Sequence, residues 1–148
     1  MQLKRKLLIG AVVSSLGGLL FGFDTAVISG AEQGLKEFYV LDNFAHGFTN
    51  SIALIGTIIG AIFAFSPAQH LGRKKSLLII GLFFGLSAVG CGLTDNWYLF
   101  LFWRFLGGLG VGASSVIAPM YISEISPSDY RGRLVGFFQF SIVFGILL

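Results

Sequence analysis

The chain has 148 residues, of which 55% are hydrophobic and only 11% are charged, and its formal net charge at pH 7 is +3. Soluble domains carry roughly 25% charged residues, so this composition, with a mean hydropathy of +0.84, excludes a soluble globular fold and favours a membrane protein. The small excess of positive charge lies in short clusters and excludes a nucleic-acid-binding role, and a single cysteine, Cys91, excludes a disulfide within the chain.

The apolar stretches predict an all-α polytopic membrane protein, because a transmembrane helix needs about 20 mostly apolar residues. Four stretches are long enough, and a fifth is still apolar at Leu148, where we expect it to be incomplete. These five spans are residues 7–29, 48–67, 76–94, 98–122 and 134–148. The basic residues before the first stretch leave a cleaved secretory signal as an alternative. However, the apolar run continues to about Ile28 with no small-residue cleavage site, which favours a first transmembrane helix.

Two charged residues lie well inside predicted spans, Asp24 in the first and Arg104 in the fourth. Each costs about 2.5–3.5 kcal/mol to place at a helix centre, and such residues usually pair and mark a transport path. If the two helices run in opposite directions, Asp24 lies ~6–8 Å and Arg104 ~9 Å below the same membrane surface. The residues alone leave two readings open, a static ion pair and a site that binds a proton.

The basic residues set the expected orientation. Eight of the ten flank the spans on one side, which the positive-inside rule makes cytoplasmic, together with the N-terminus. They are Lys4, Arg5, Lys6, Arg73, Lys74, Lys75, Arg131 and Arg133. Trp97 and Tyr98 suit an aromatic belt at the opposite interface.

Glycines spaced four residues apart predict where helices approach one another closely in lipid. The four pairs are Gly18 and Gly22, Gly56 and Gly60, Gly81 and Gly85, and Gly108 and Gly112. The glycine-rich run at 107–112 lies inside a span, so helix packing is favoured over a dinucleotide-binding loop. Its likeness to the run at 17–22 suggests a three-helix repeat of the kind from which transporters are built.

Residues 119–133 carry the most informative motif in the chain. They contain P-x-Y-x-x-E-x-x-P-x-x-x-R-G, with Pro119, Tyr121, Glu124, Pro127 and Arg131-Gly132 in register. This motif resembles the signature of sugar porters in the major facilitator superfamily. The resemblance implies a transporter with twelve spans in two six-helix halves. This chain would then be the N-terminal fragment, and the absent C-terminal half would be needed for transport.

The first span sharpens this resemblance. Residues 18–30, GLLFGFDTAVISG, are similar to the first helix of bacterial sugar–proton symporters of the xylose type. The resemblance implies that Asp24 is the protonated carboxylate and Arg104 its partner, since passive facilitators carry an uncharged residue at the Asp position. We therefore expect a proton-coupled monosaccharide symporter that works by alternating access. The alternatives are a sugar or polyol uniporter, and a membrane sensor or remnant that does not transport.

The same resemblance implies two further groups of residues. Arg73, Glu124 and Arg131 would form a cytoplasmic gate network, with ordinary membrane anchors as the alternative. Residues 72–75 match the end of the superfamily's loop motif, although Phe65 and Gln69 depart from its first Gly and its Asp.

Gln139 and Phe21 would bind the sugar, with a Gln packed between helices as the alternative. Ile146 stands where the xylose type has a second sugar-binding Gln, which leaves the identity of the sugar open.

Other side chains suggest no further chemistry. His46, His70, Cys91 and Met120 read as loop or packing residues. The sequence contains no nucleophile triad, metal-ligand cluster or phosphate loop, so we expect neither an enzyme nor a cofactor. The expected partners are a small sugar, protons and the lipid bilayer, in a bacterial inner membrane.

Overall fold

The computed structural model describes residues 2–148. Within that range every regular element is an α-helix, which confirms the predicted all-α fold. In chain order the helices are α1 (Gln2–Phe38), α2 (Asn43–Phe63), α3 (Phe65–His70), α4 (Arg73–Leu93), α5 (Trp97–Ile125) and α6 (Ser128–Leu147).

Four helical stretches of the described chain are long and apolar enough to cross a membrane. They are Lys4–Phe38, Asn43–His70, Arg73–Leu93 and Trp97–Ile125. The second of these joins α2 and α3, which are separated only by a turn at Ala64. α6 begins with charged residues in its first two turns and is mostly apolar beyond them, apart from Gln139 and Ser141.

Short polar residues and one glycine set the ends of the helices. Asp42 caps α2 by accepting a hydrogen bond from the Ala45 backbone N–H at 2.7 Å, and Asn96 caps α5 by accepting from Tyr98 at 3.0 Å. Each cap satisfies an amide that the first turn leaves free. Gly72 joins α3 to α4 with φ of 82°, a left-handed conformation that residues with a side chain rarely adopt.

α5 is the central helix, because it packs against α1, α2, α4 and α6. It runs antiparallel to α1, since Gly10 lies beside Tyr121 and Gly17 beside Ser114. α2 and α5 run parallel to each other, as do α1 and α6. One end of the bundle therefore carries the start of α1, the α3–α4 junction and the α5–α6 junction. We call this end, with its clustered Lys and Arg residues, the basic end, and the other the far end.

Three of the four predicted glycine pairs lie at close helix contacts. A Cβ on Gly22 would collide with the Ile142 carbonyl of α6, and one on Gly112 with the Thr57 carbonyl of α2. The α1–α6 contact thus resembles the α5–α2 contact. The prediction for Gly81 and Gly85 was wrong, because no atom of the described chain lies within 4 Å of a Cβ built at either.

The buried core lies around the second half of α5. Ile117 packs with Ala64 and Ala68, while Ala118 and Ile122 pack with Phe138 of α6. Elsewhere the bundle surface is apolar. Leu54, Ile58 and Ile62, for example, are each more than 60% exposed. Such a surface is stable only against lipid or another apolar partner.

Candidate functional site

The antiparallel packing of α1 and α5 brings Asp24 and Arg104 together. Arg104 Nη1 donates to Asp24 Oδ1 at 3.4 Å and to Oδ2 at 3.3 Å. The Arg104 side chain is 11% exposed and that of Asp24 is 38% exposed. These distances exceed the ~2.7–2.9 Å of tight charge-assisted hydrogen bonds. The pair is therefore in contact but loosely held, with the guanidinium buried and the carboxylate open on one side.

Phe21 and Gln139 lie on the neighbouring helices α1 and α6, and Phe21 precedes Asp24 by three residues. Gly18 of α1 lies against Phe138 of α6, with 3.0 Å from a built Cβ to the Phe138 carbonyl oxygen. Because α1 and α6 are parallel, Phe21 and Gln139 then lie within about one helical turn of the same level. Phe21 is half-buried and Gln139 is exposed. Within residues 2–148 the Gln139 amide forms no hydrogen bond, so its donor and acceptor are free.

At the basic end the structure brings together two of the three predicted gate residues. Arg73, the first residue of α4, forms an ion pair with Glu124 in the last turn of α5, with 2.8 Å between Nη2 and Oε1. Its Nη1 also donates to the Ala68 carbonyl of α3 at 3.0 Å. Arg131 is exposed on α6 and forms no ion pair with any residue of the described chain. The α3–α4 junction is thus tied to the end of α5.

The far end carries a polar cluster that the sequence did not predict. Glu32 of α1 accepts hydrogen bonds from His46 at 2.8 Å and from Asn50 at 3.1 Å, both on α2. Glu32 and His46 lie at the ends of different helices, so no sequence periodicity could have joined them.

Two further contacts tie the far ends of the helices together. Trp97 Nε1 of α5 donates to Thr49 Oγ1 of α2 at 2.9 Å, and the Tyr39 hydroxyl donates to the Thr94 carbonyl at 2.9 Å. Burial raises the pKa of the Tyr39 hydroxyl, and the negative charge of Asp95 adds to the shift. Trp97 is therefore a structural hydrogen-bond donor that joins α5 to α2.

Known proteins with similar sequences include transporters of sugars. The glucose transport protein of Synechocystis is 48% identical over 136 residues, which are 92% of this chain and 29% of that protein. The D-xylose-proton symporter of Escherichia coli K12 is 42% identical over an alignment of 163 positions, which covers 93% of this chain and 33% of that protein. The chain thus spans about a third of the length of these relatives.

Solved structures show the same arrangement of helices. The inward open conformation of the xylose transporter XylE from E. coli superposes with a TM-score of 0.88 at 37% identity, over 95% of this chain and 38% of that chain. XylE bound to 6-bromo-6-deoxy-D-glucose, described as a major facilitator superfamily proton:xylose symporter, gives 0.88 at 39% identity, over 97% of this chain and 36% of that chain. These matches confirm the predicted major facilitator fold.

The family model described as "Sugar (and other) transporter" matches residues 10–148, almost the whole sequence. That match agrees with the sugar-porter motif at 119–132 and with the helix arrangement shared with XylE. This chain belongs to the sugar (and other) transporter family.

Proposed function

We propose that this chain forms the proton-coupling part of a monosaccharide transporter that works by alternating access. The observation that carries the proposal is the Asp24–Arg104 contact, a loosely held ion pair between two helices of the bundle. The relatives of this chain support a sugar as the substrate class. The relative at 48% identity is named a glucose transport protein, and the one at 42% identity a D-xylose-proton symporter. The remaining spans would come from a second half like that of these relatives.

The proposed coupling step is the binding of a proton to the Asp24 carboxylate. Neutral Asp24 no longer balances Arg104, and a nearly buried guanidinium without a counter-ion is costly. The α1–α5 contact is then free to rearrange, so proton binding favours a different conformation. At a membrane potential of 100 mV each proton carried inward contributes about 2.3 kcal/mol, enough to drive sugar accumulation.

Gln139 and Phe21 are the proposed sugar contacts within this chain. The amide of Gln139 offers both a donor and an acceptor to sugar hydroxyl groups, and the ring of Phe21 offers an apolar face. Their place on neighbouring helices, within about a turn of the same level, suits a single small ligand. Such ligands bind near the bilayer midplane in transporters of this design.

The proposed gate lies at the basic end, which we place on the cytoplasmic side with the N-terminus. Arg73 and Glu124 tie α4 to α5 there, and we propose that Arg131 joins this network when the two halves of the transporter close together. Exposed ion pairs are weak singly, about 0–1 kcal/mol each, so a network is needed for an effective gate.

The test uses a chimera in which this chain replaces the corresponding part of the E. coli D-xylose-proton symporter. In that chimera we expect Asp24→Asn to abolish proton-driven accumulation of D-xylose while preserving exchange of labelled for unlabelled xylose. Asp95→Asn, an exposed site on a far-end loop, is the matched control and should retain accumulation. Undiminished accumulation by Asp24→Asn would refute the coupling role. Uptake by the parent chimera that an uncoupler leaves unchanged would indicate a uniporter.

A further inference from the structure

The far segment of α1, residues 25–38, is held in a different way from the rest of the bundle. From Phe23 to Phe48 none of the residues is buried, although α1 remains helical as far as Phe38. α1 packs mainly on α5 and α6, and α2 mainly on α5. Within the described chain the far segment therefore lacks a buried apolar core, and polar side chains make its contacts with α2.

Glu32 is the centre of those polar contacts. One of its carboxylate oxygens accepts from both His46 and Asn50, which lie four residues apart and so on one face of α2. The His46 side chain is 18% exposed, so the contact is partly shielded from water. On the other side, α2 is tied to α5 by the hydrogen bond between Thr49 and Trp97. Glu32 thus fixes the far segment to a helix that is itself anchored.

We propose that Glu32, His46 and Asn50 form a clasp that fixes the far segment of α1 to α2 and thereby positions Asp24. Asp24 lies eight residues before Glu32 on the same continuous helix, about 12 Å lower along its axis. If the clasp opens, Lys36 and Tyr39 still hold the end of the far segment, but its middle loses the tie to α2 and the loose Asp24–Arg104 contact loses its fixed geometry. The three are positioning residues, and their effect on transport rests on the proposed function.

The clasp does not need a charged imidazole, because an Nε2–H group of His46 can donate to the Glu32 carboxylate in either protonation state. The other charged groups that the structure describes at the far end form no hydrogen bond with Glu32, His46 or Asn50. Lys36 bonds to Asn43, the Asp42 carboxylate caps α2, and Glu37 and Asp95 are exposed.

Distance measurements on the chain itself test the clasp. In lipid nanodiscs, with Cys91→Ala, spin labels at Gln33→Cys on α1 and Ser51→Cys on α2 should give one narrow distance distribution at pH 7. We expect Glu32→Leu and His46→Leu to broaden it. His46→Gln should keep it narrow, because an amide can donate as imidazole does. Glu37→Gln is the matched control on the same segment and should also keep it narrow.

Equal widths for Glu32→Leu and its parent would overturn the clasp, as would a Glu37→Gln variant as broad as Glu32→Leu. Positioning is tested in the chimera, where we expect Glu32→Leu to lower D-xylose accumulation several-fold and His46→Gln to preserve it. A broadened distribution with full accumulation would refute the positioning of Asp24. If Asp24→Asn itself leaves accumulation intact, the proposed function fails, while the distance distributions still decide whether the clasp exists.

Discussion

The Arg73–Glu124 and Asp24–Arg104 ion pairs differ in how strongly water screens them. Arg73 and Glu124 lie 2.8 Å apart with their side chains 25% and 50% exposed, so water screens them. Arg104 is 11% exposed and lies 3.3 Å from Asp24, a longer contact in a less polar setting. Breaking the second pair by neutralising one partner has the larger consequence, because the remaining charge is poorly solvated. In the proposed mechanism this difference is what would let the binding of one proton to Asp24 cause a conformational change.

A buried serine of α1 also predicts a stabilising substitution. Ser14 is 2% exposed and its hydroxyl finds no partner within residues 2–148, whereas the neighbouring Ser15 donates to the Ala11 carbonyl at 2.7 Å. An unsatisfied buried hydroxyl costs about 1–3 kcal/mol. We therefore expect Ser14→Ala to raise the free energy of unfolding by about 1 kcal/mol.

Unfolding of the detergent-solubilised chain, followed by circular dichroism, measures this difference. Ser15→Ala is the control, because it removes a hydroxyl that already has a partner, and it should not stabilise the chain. If Ser14→Ala is less stable than the parent, the hydroxyl has a partner in the membrane-embedded protein, and its assignment as unsatisfied is wrong.

Among the elements, α5 determines how the bundle packs, and its glycines determine how closely. Gly112 lies so near the Thr57 carbonyl that an added Cβ has no space, and both groups are backbone, which cannot rotate away. We expect Gly112→Ala to lower the free energy of unfolding by about 1–3 kcal/mol, the usual cost of overpacking. Unfolding of the detergent-solubilised variant, followed by circular dichroism, measures this loss of stability.

Gly85 provides a matched comparison on α4. It is also a helical glycine in an apolar span, but open space surrounds the position that its Cβ would occupy. Gly85→Ala should therefore be neutral or stabilising by up to about 1 kcal/mol, because alanine is the better helix former. Equal destabilisation by the two substitutions would contradict the close-packing explanation, because only Gly112 has a neighbouring backbone at the position of its Cβ.

The helices also show what the sequence could predict and where it could not. Apolar length predicted the helical spans, since lipid requires every backbone hydrogen bond to be made within the helix. It could not predict that α1 continues to Phe38, because Glu32 and Lys36 end the apolar stretch without ending the helix. Spacing alone also failed for Gly81 and Gly85, because it does not say which face of a helix has a neighbour.

For the molecule as a whole, two similar packings organise the bundle. α1 against α6 and α5 against α2 use equivalent glycines, which lets α5 and α1 meet at the Asp24–Arg104 contact. The sequence predicted that these two charges share a depth, but adjacency is a tertiary property that only the packing reveals. The clasp at the far end was not predicted at all, because its three residues are unremarkable polar residues until two helices meet.

The central claim is that this bundle couples sugar movement to proton movement through Asp24. The most direct measurement is the external pH of a weakly buffered suspension of energy-depleted cells that express the chimera, recorded as D-xylose is added. Coupled entry of protons with the sugar should make the medium more alkaline, and Asp24→Asn should abolish that change. Xylose entry with no change in external pH in the parent chimera would contradict the account.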